Sequence, residues 1–167
     1  MKDAIPELGF DPAREAIIEP AKLIKYRDLP EHCVLCFFRD EGTSYHYLPA
    51  GREAYPSAEA VTAVTRVLDR HNMPYVTGKT WTTDAFYRET PKRVATRREQ
   101  GCLTVEMEAA ALFAVAEFRH AHIAQLLYGD DDVSGIEWDP RGFGRKSSAR
   151  ETLFWLSLEA CLEIEDE

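Results

Sequence analysis

Gly101-Cys-Leu-Thr-Val-Glu-Met-Glu-Ala-Ala-Ala-Leu112 decides how this chain reads, together with Ile123-Ala-Gln-Leu-Leu-Tyr128 and Gly129-Asp130-Asp131-Asp132 after it. The first stretch sets Glu106 and Glu108 as a buried carboxylate pair at the head of an Ala-rich helix. The second is an apolar run that reads as a strand and delivers acids at its carboxyl end. In an open parallel α/β sheet, ligands sit beyond the carboxyl ends of the strands, so acids there are placed for chemistry more than for solubility.

Working outward, strands and helices alternate. Residues 32–38 read as a buried strand and 43–48 as a second extended segment. Ser57–His71 is a helix, with Ala60, Val61, Val64, Val67 and Leu68 at helical spacing. Pro74–Thr82 reads as a strand, Thr90–Glu99 as a basic exposed helix, Val105–Arg119 as a mostly buried helix and His122–Tyr128 as a strand. Ser148-Ala-Arg-Glu151 has the capping-box form and opens a last helix over 148–163. Upstream, residues 1–31 are rich in Pro and charge, with one short helix near Pro12–Ile18. The pattern predicts a single α/β domain over residues 1–167, a three-layer sandwich with a mainly parallel central sheet.

Composition bounds the function. With 20 basic against 29 acidic residues the formal charge is −9, which argues against nucleic acid as a partner, because phosphate-backbone affinity needs clustered Lys and Arg. No apolar run approaches the roughly 20 residues that span a bilayer, and the N-terminus lacks a signal-peptide core. The expected setting is cytoplasmic, away from membranes. Cys33 and Cys36 stand on one strand at odd spacing, so their side chains point to opposite faces. Cys102 and Cys161 stand alone. Buried free thiols and no metal site are expected.

Read with Trp81-Thr-Thr-Asp-Ala-Phe-Tyr87 and Glu41-Gly-Thr-Ser-Tyr-His-Tyr-Leu-Pro49, these motifs resemble the nucleoside phosphorylase superfamily, and most closely its uridine phosphorylase-like branch. The resemblance implies that several elements, including the glycine turn and arginine that hold phosphate, are missing where Arg39-Asp40 runs into Glu41-Gly42, so the fold is a reduced one with an internal deletion. Those elements would cover or extend the sheet. An edge is therefore expected to lie bare, and a homo-oligomer to cover it.

The resemblance implies cleavage of a nucleoside N-glycosidic bond, with nucleoside or free base as partner, phosphate as co-substrate and no cofactor. Glu108 matches the carboxylate that accepts the ribose hydroxyls, Met107 the residue packed on the sugar, and Glu106 the flanking member of that motif. The alternative for both glutamates is service to the helix dipole. Asp130 best matches the aspartate that, in purine-specific relatives, protonates the departing base, with Asp131 one residue along as the other register; neighbouring carboxylates would raise its pKa. A solvated acidic loop or a magnesium group competes with that role. Phe86 matches the aromatic that stacks on the base, with a core phenylalanine as the alternative. Thr90 and Lys92 stand where a uridine-specific Gln and Arg would be, which leans toward a purine or an unassigned base. His46, in Tyr45-His46-Tyr47, could reach a ligand, but a lone histidine among aromatics is more often structural. For phosphate the substitutes are Gly142-Phe-Gly-Arg-Lys-Ser-Ser148 and the basic stripe Arg88, Lys92, Arg93, Arg97 and Arg98. Without the phosphate segment, a hydrolase using water or a catalytically impaired nucleoside-binding or assembly module are the competing readings.

Overall fold

The computed structural model describes residues 32–39, 42–135, 137–141 and 147–164. The expected helix near Pro12–Ile18 and the glycine-rich 142–146 lie outside them. Strand β1 (His32–Arg39) is central. It pairs in parallel with β3 (Val76–Thr82), which pairs in parallel with β4 (Cys102–Glu106). Two short strands flank the other edge of β1, both antiparallel: β2 (Glu53–Ala54) at its end and β5 (Leu127–Tyr128) at its start. Helices α1 (Ala58–Arg70), α2 (Pro91–Glu99), α3 (Ala109–Arg119) and α4 (Ser147–Cys161) complete the reduced three-layer α/β sandwich.

The apolar spacing of α1 does what the sequence asks of it. Ala63, Val64, Val67 and Leu68 pack against Leu153, Leu156 and Ala160 of α4. Arg70 spans the same seam to Glu159, at 2.5 Å, and to Glu163; such exposed pairs add little beyond the apolar contact. A second core joins Ala109, Ala110 and Phe113 of α3 to Ala54. A third joins Trp81, Val94 and Cys102, with Val105, Val133 and Trp138 against it.

Several expected elements differ. Residues 43–48 are not extended: Thr43–His46 is a 3-10 turn, closed by Tyr47 and Leu48 donating to the Ser44 carbonyl at 3.1 and 3.0 Å. Val105 and Glu106 belong to β4 rather than to a helix, because they pair with Trp81 and Thr82, and the helix begins only at Ala109. Of the 122–128 run, just Leu127–Tyr128 pairs, and it runs antiparallel to β1. The last helix starts at Ser147, so Ser148 is inside it and not its cap. Helix α2 is not wholly exposed, since Val94 and Arg97 are buried. Cys102 is buried, but Cys161 lies exposed near the end of α4. No described strand pairs with the outer edge of β4, and Leu103 there is 58% exposed. No described helix is long and apolar enough to cross a membrane.

Candidate functional site

The junction between β4 and α3 organises the site. Glu106 ends β4 half-buried, and its carboxylate turns back over the start of α3. Its Oε2 accepts the amides of Glu108 at 2.7 Å and Ala109 at 2.6 Å. Thr82 donates its hydroxyl to Oε1 and accepts the Ala110 amide at 3.0 Å. The pair thus satisfies amides that a helix start leaves unbonded. Burial still raises the Glu106 pKa, outweighing the bonds from Thr82, Ala109 and Glu108 that favour its charge. Glu106→Ala is expected to cost about 1–3 kcal/mol, because buried donors lose their acceptor. Amide exchange should rise first at Ala109 and Ala110; unchanged protection there would remove this capping role.

Glu108 behaves differently from its expected buried state. It is the N-cap residue of α3, is exposed, and makes no side-chain capping bond. The reason is that Glu106 has taken the cap, leaving Glu108 to face a cleft of about 620 Å3. Met107, Asp84, His46 and Thr43 share that cleft. Sequence reading took His46 as more often structural than ligand-binding, yet it lines the same cleft as Glu108. Phe86 stacks on Tyr87 with ring centroids 3.8 Å apart and is half-buried just downstream of Asp84.

Asp130, Asp131 and Asp132 line a second cleft of about 750 Å3, with Glu106, Trp81, Arg97 and Arg141 among its walls. The Glu106-Met107-Glu108 motif thus straddles two clefts, and the acidic run faces the one that Glu108 does not line. The three aspartates are not equivalent. Asp131 is held by the Trp138 indole N–H at 2.7 Å. Burial pushes its pKa up against that bond, and the charges of Asp130 and Asp132 add to the rise. Asp132 is also penalised by burial, but the Ser134 amide and Arg141, both at 2.7 Å, bring its pKa below the ordinary value. Asp130 lies 3.7 Å from Arg150. The loop is fastened by mutual backbone bonds between Asp132 and Asp139 at 2.8 and 3.0 Å. Of the two candidates for proton donor, Asp131 therefore has the environment that favours holding a proton.

Two members of the basic stripe are engaged by protein groups. Arg97 is buried, lies over the Trp81 ring at 5.7 Å and donates to Gln100 at 2.6 Å. Arg98 donates to the Ser134 carbonyl at 3.3 Å. One residue escaped sequence reading altogether. Glu89, just ahead of the Thr90 cap of α2, is 3% exposed, and its Oε2 has no hydrogen-bond partner. Burial, with the charge of Asp131, raises its pKa to about 8. The Thr-Pro step places Glu89 before a helix, but nothing in the sequence signals its burial.

Residues 26–153 match the phosphorylase superfamily, and the chain belongs to that family. It is 32% identical over 102 residues to a DeoD-type purine nucleoside phosphorylase of Colwellia psychrerythraea, covering 60% of this chain and 41% of that one. It is 32% identical over 78 residues to a guanosine phosphorylase of Halorubrum lacusprofundi, covering 47% and 32%. The fold matches the crystal structure of purine nucleoside phosphorylase from Toxoplasma gondii with a TM-score of 0.68 at 17% identity, over 86% of this chain and 59% of that one. The chain spans about two-fifths or less of the length of these curated relatives.

Proposed function

We propose that this chain binds a nucleoside and cleaves its N-glycosidic bond by phosphorolysis, with a purine as the favoured base. The observation that carries this reading is Glu108, an exposed carboxylate beside Met107 and free of capping duty at the mouth of a cleft. Such a group can accept both ribose hydroxyls in charge-assisted bonds and favours positive charge developing on the sugar. Phe86 would stack on the base, and Asp131, with Asp130 as its neighbour, would supply the proton from the second cleft, the nucleoside reaching it across the Glu106-Met107-Glu108 motif that lines both. Glu106 would hold the ribose carboxylate's helix in place. The purine preference rests on Thr90 and Lys92 at the uridine-reading positions and on the names of the relatives.

The finer placement in the uridine phosphorylase-like branch, with an internal deletion beside Asp40 and Glu41, belongs to the same proposal. So do a cytoplasmic setting and a homo-oligomer. Hydrolysis is the second reading, and a specific observation favours it: Arg97, Arg98 and Arg141 around the second cleft are each engaged by protein groups, which leaves phosphate little to hold it. A nucleoside panel incubated with and without phosphate, with free base quantified by chromatography, separates the two. Phosphate-dependent release of purine is the expected result. Release without phosphate selects hydrolysis, and no release from any nucleoside overturns both.

A further inference from the structure

Helix α4 is apolar on two opposite sides. Leu153, Leu156 and Ala160 are buried against α1. Phe154, Trp155, Leu158, Cys161 and Leu162 recur at i, i+1, i+4, i+7 and i+8, and so share the other side. Leu162 continues the last turn, its amide bonding to the Leu158 carbonyl at 3.2 Å. A helix that is apolar all round belongs inside a structure. Here the second side lies open: Phe154 is 61% exposed, Trp155 58%, Leu158 43% and Leu162 81%. The Phe154 and Trp155 rings stand edge to face with centroids 5.3 Å apart, one preformed aromatic surface. None of these residues lines either cleft.

The charges of α4 run against its own dipole. A helix favours acids at its N-terminus and bases at its C-terminus. No acid stands in the first turn of α4 and no base in the last. Residues 145–151 hold three bases and one acid, whereas 159–167 hold five acids and no base. Arg70 of α1 offsets Glu159 and Glu163, and Glu165, Asp166 and Glu167 follow in sequence. A partner that fits this face is apolar along its middle, acidic beside the start of α4 and basic beside its end. A second α4 laid antiparallel meets all three demands, and it brings each positive helix end beside a negative one.

We propose that the chain pairs with a second copy of itself through α4, the two helices antiparallel and their apolar stripes face to face. The area is sufficient. Taking roughly 200 Å2 for a whole aromatic side chain and somewhat less for a leucine, the exposed fractions give on the order of 400 Å2 of apolar surface per copy. With a polar rim of the kind homodimer interfaces carry, two copies would bury about 1,200 Å2, the lower end of a specific interface. Association in the micromolar range is expected. This surface is distinct from the outer edge of β4, and the pairing holds whichever bond the clefts cleave.

Sedimentation equilibrium reads the association. Trp155 reports the face, since Trp81 is buried and Trp138 half-buried. Dilution through the micromolar range should dissociate the dimer and move indole emission to longer wavelength. Leu158→Arg, a charge in the middle of the stripe, and Trp155→Ser should each weaken association by more than about tenfold, with native circular dichroism. Should either variant unfold, the unaltered chain still decides: a short bismaleimide should join it to a second chain that carries Glu151→Cys and Cys161→Ser, through Cys161 of the first. Glu151 shares the side of the stripe, seven residues before Leu158. In a parallel pair, positions 151 and 161 stand about 15 Å apart along the axis, so failure of that join overturns the antiparallel pair. Leu103→Arg on β4 should leave the join in place, and its loss there would move the interface to the sheet edge. A chain that stays monomeric through the micromolar range overturns the proposal, and so does a dimer that survives both stripe variants. Emission already at short wavelength and insensitive to dilution would show the face covered within one chain, which overturns it too.

Discussion

Trp81→Ala is expected to remove about 3–5 kcal/mol of folding stability, a large share of the roughly 5–15 kcal/mol that a domain possesses. Trp81 is 2% exposed on β3, with Phe38 of β1 on one side and Val105 of β4 on the other in the sheet register. Its ring fills the core shared with Val94, Cys102, Val133 and Trp138, and Arg97 lies over it. Removing it opens a cavity that parallel strands cannot close by sliding. The urea midpoint should fall with little change in slope, and Trp81→Phe should lose less than half as much. A shift below about 1 kcal/mol would show that the Trp81 ring does not anchor this core.

The second large effect concerns Glu108. Glu108→Gln keeps the shape and the exposed N-cap position but loses the charged acceptor. Nucleoside affinity or turnover should fall by about ten- to a hundredfold, the equivalent of roughly 1.5–3 kcal/mol for a charge-assisted bond. Its melting temperature should hold, because the helix amides bond to Glu106 and not to Glu108. A 2′,3′-dideoxynucleoside should bind the wild type poorly and respond little to the substitution. Equal damage to both ligands, together with a marked fall in melting temperature, would return Glu108 to a structural role.

The sequence made the layered α/β class and the four described helices legible: α1 by its apolar spacing after Ser57, α2 by Thr90 and Pro91 at its start, α3 by its Ala-rich apolar run and α4 by the hydroxyl-rich stretch that opens it. It did not reveal where β4 ends. Val105-Glu-Met-Glu108 can continue either a strand or a helix, and what decides is a long-range contact, the pairing of Trp81 with Val105 and Thr82 with Glu106. The same contact sorts the two glutamates, since only the strand-end residue can reach back to the α3 amides. Among Asp130, Asp131 and Asp132, local sequence offers no distinction at all. Trp138 and Arg141, brought back by the Asp132–Asp139 bridge, supply it. Glu89 lay beyond reach because burial of a lone carboxyl leaves no periodic trace.

Among the described residues, no strand pairs with the outer edge of β4, beside the exposed Leu103. A strand in that state can bond to the matching strand of another molecule, and any such pairing links folding to mass action. The melting temperature would then rise with protein concentration, and dilution alone would loosen the strand whose last residue, Glu106, carries the start of α3. Activity per molecule would fall on dilution in step with it, so that the assay concentration becomes a structural variable.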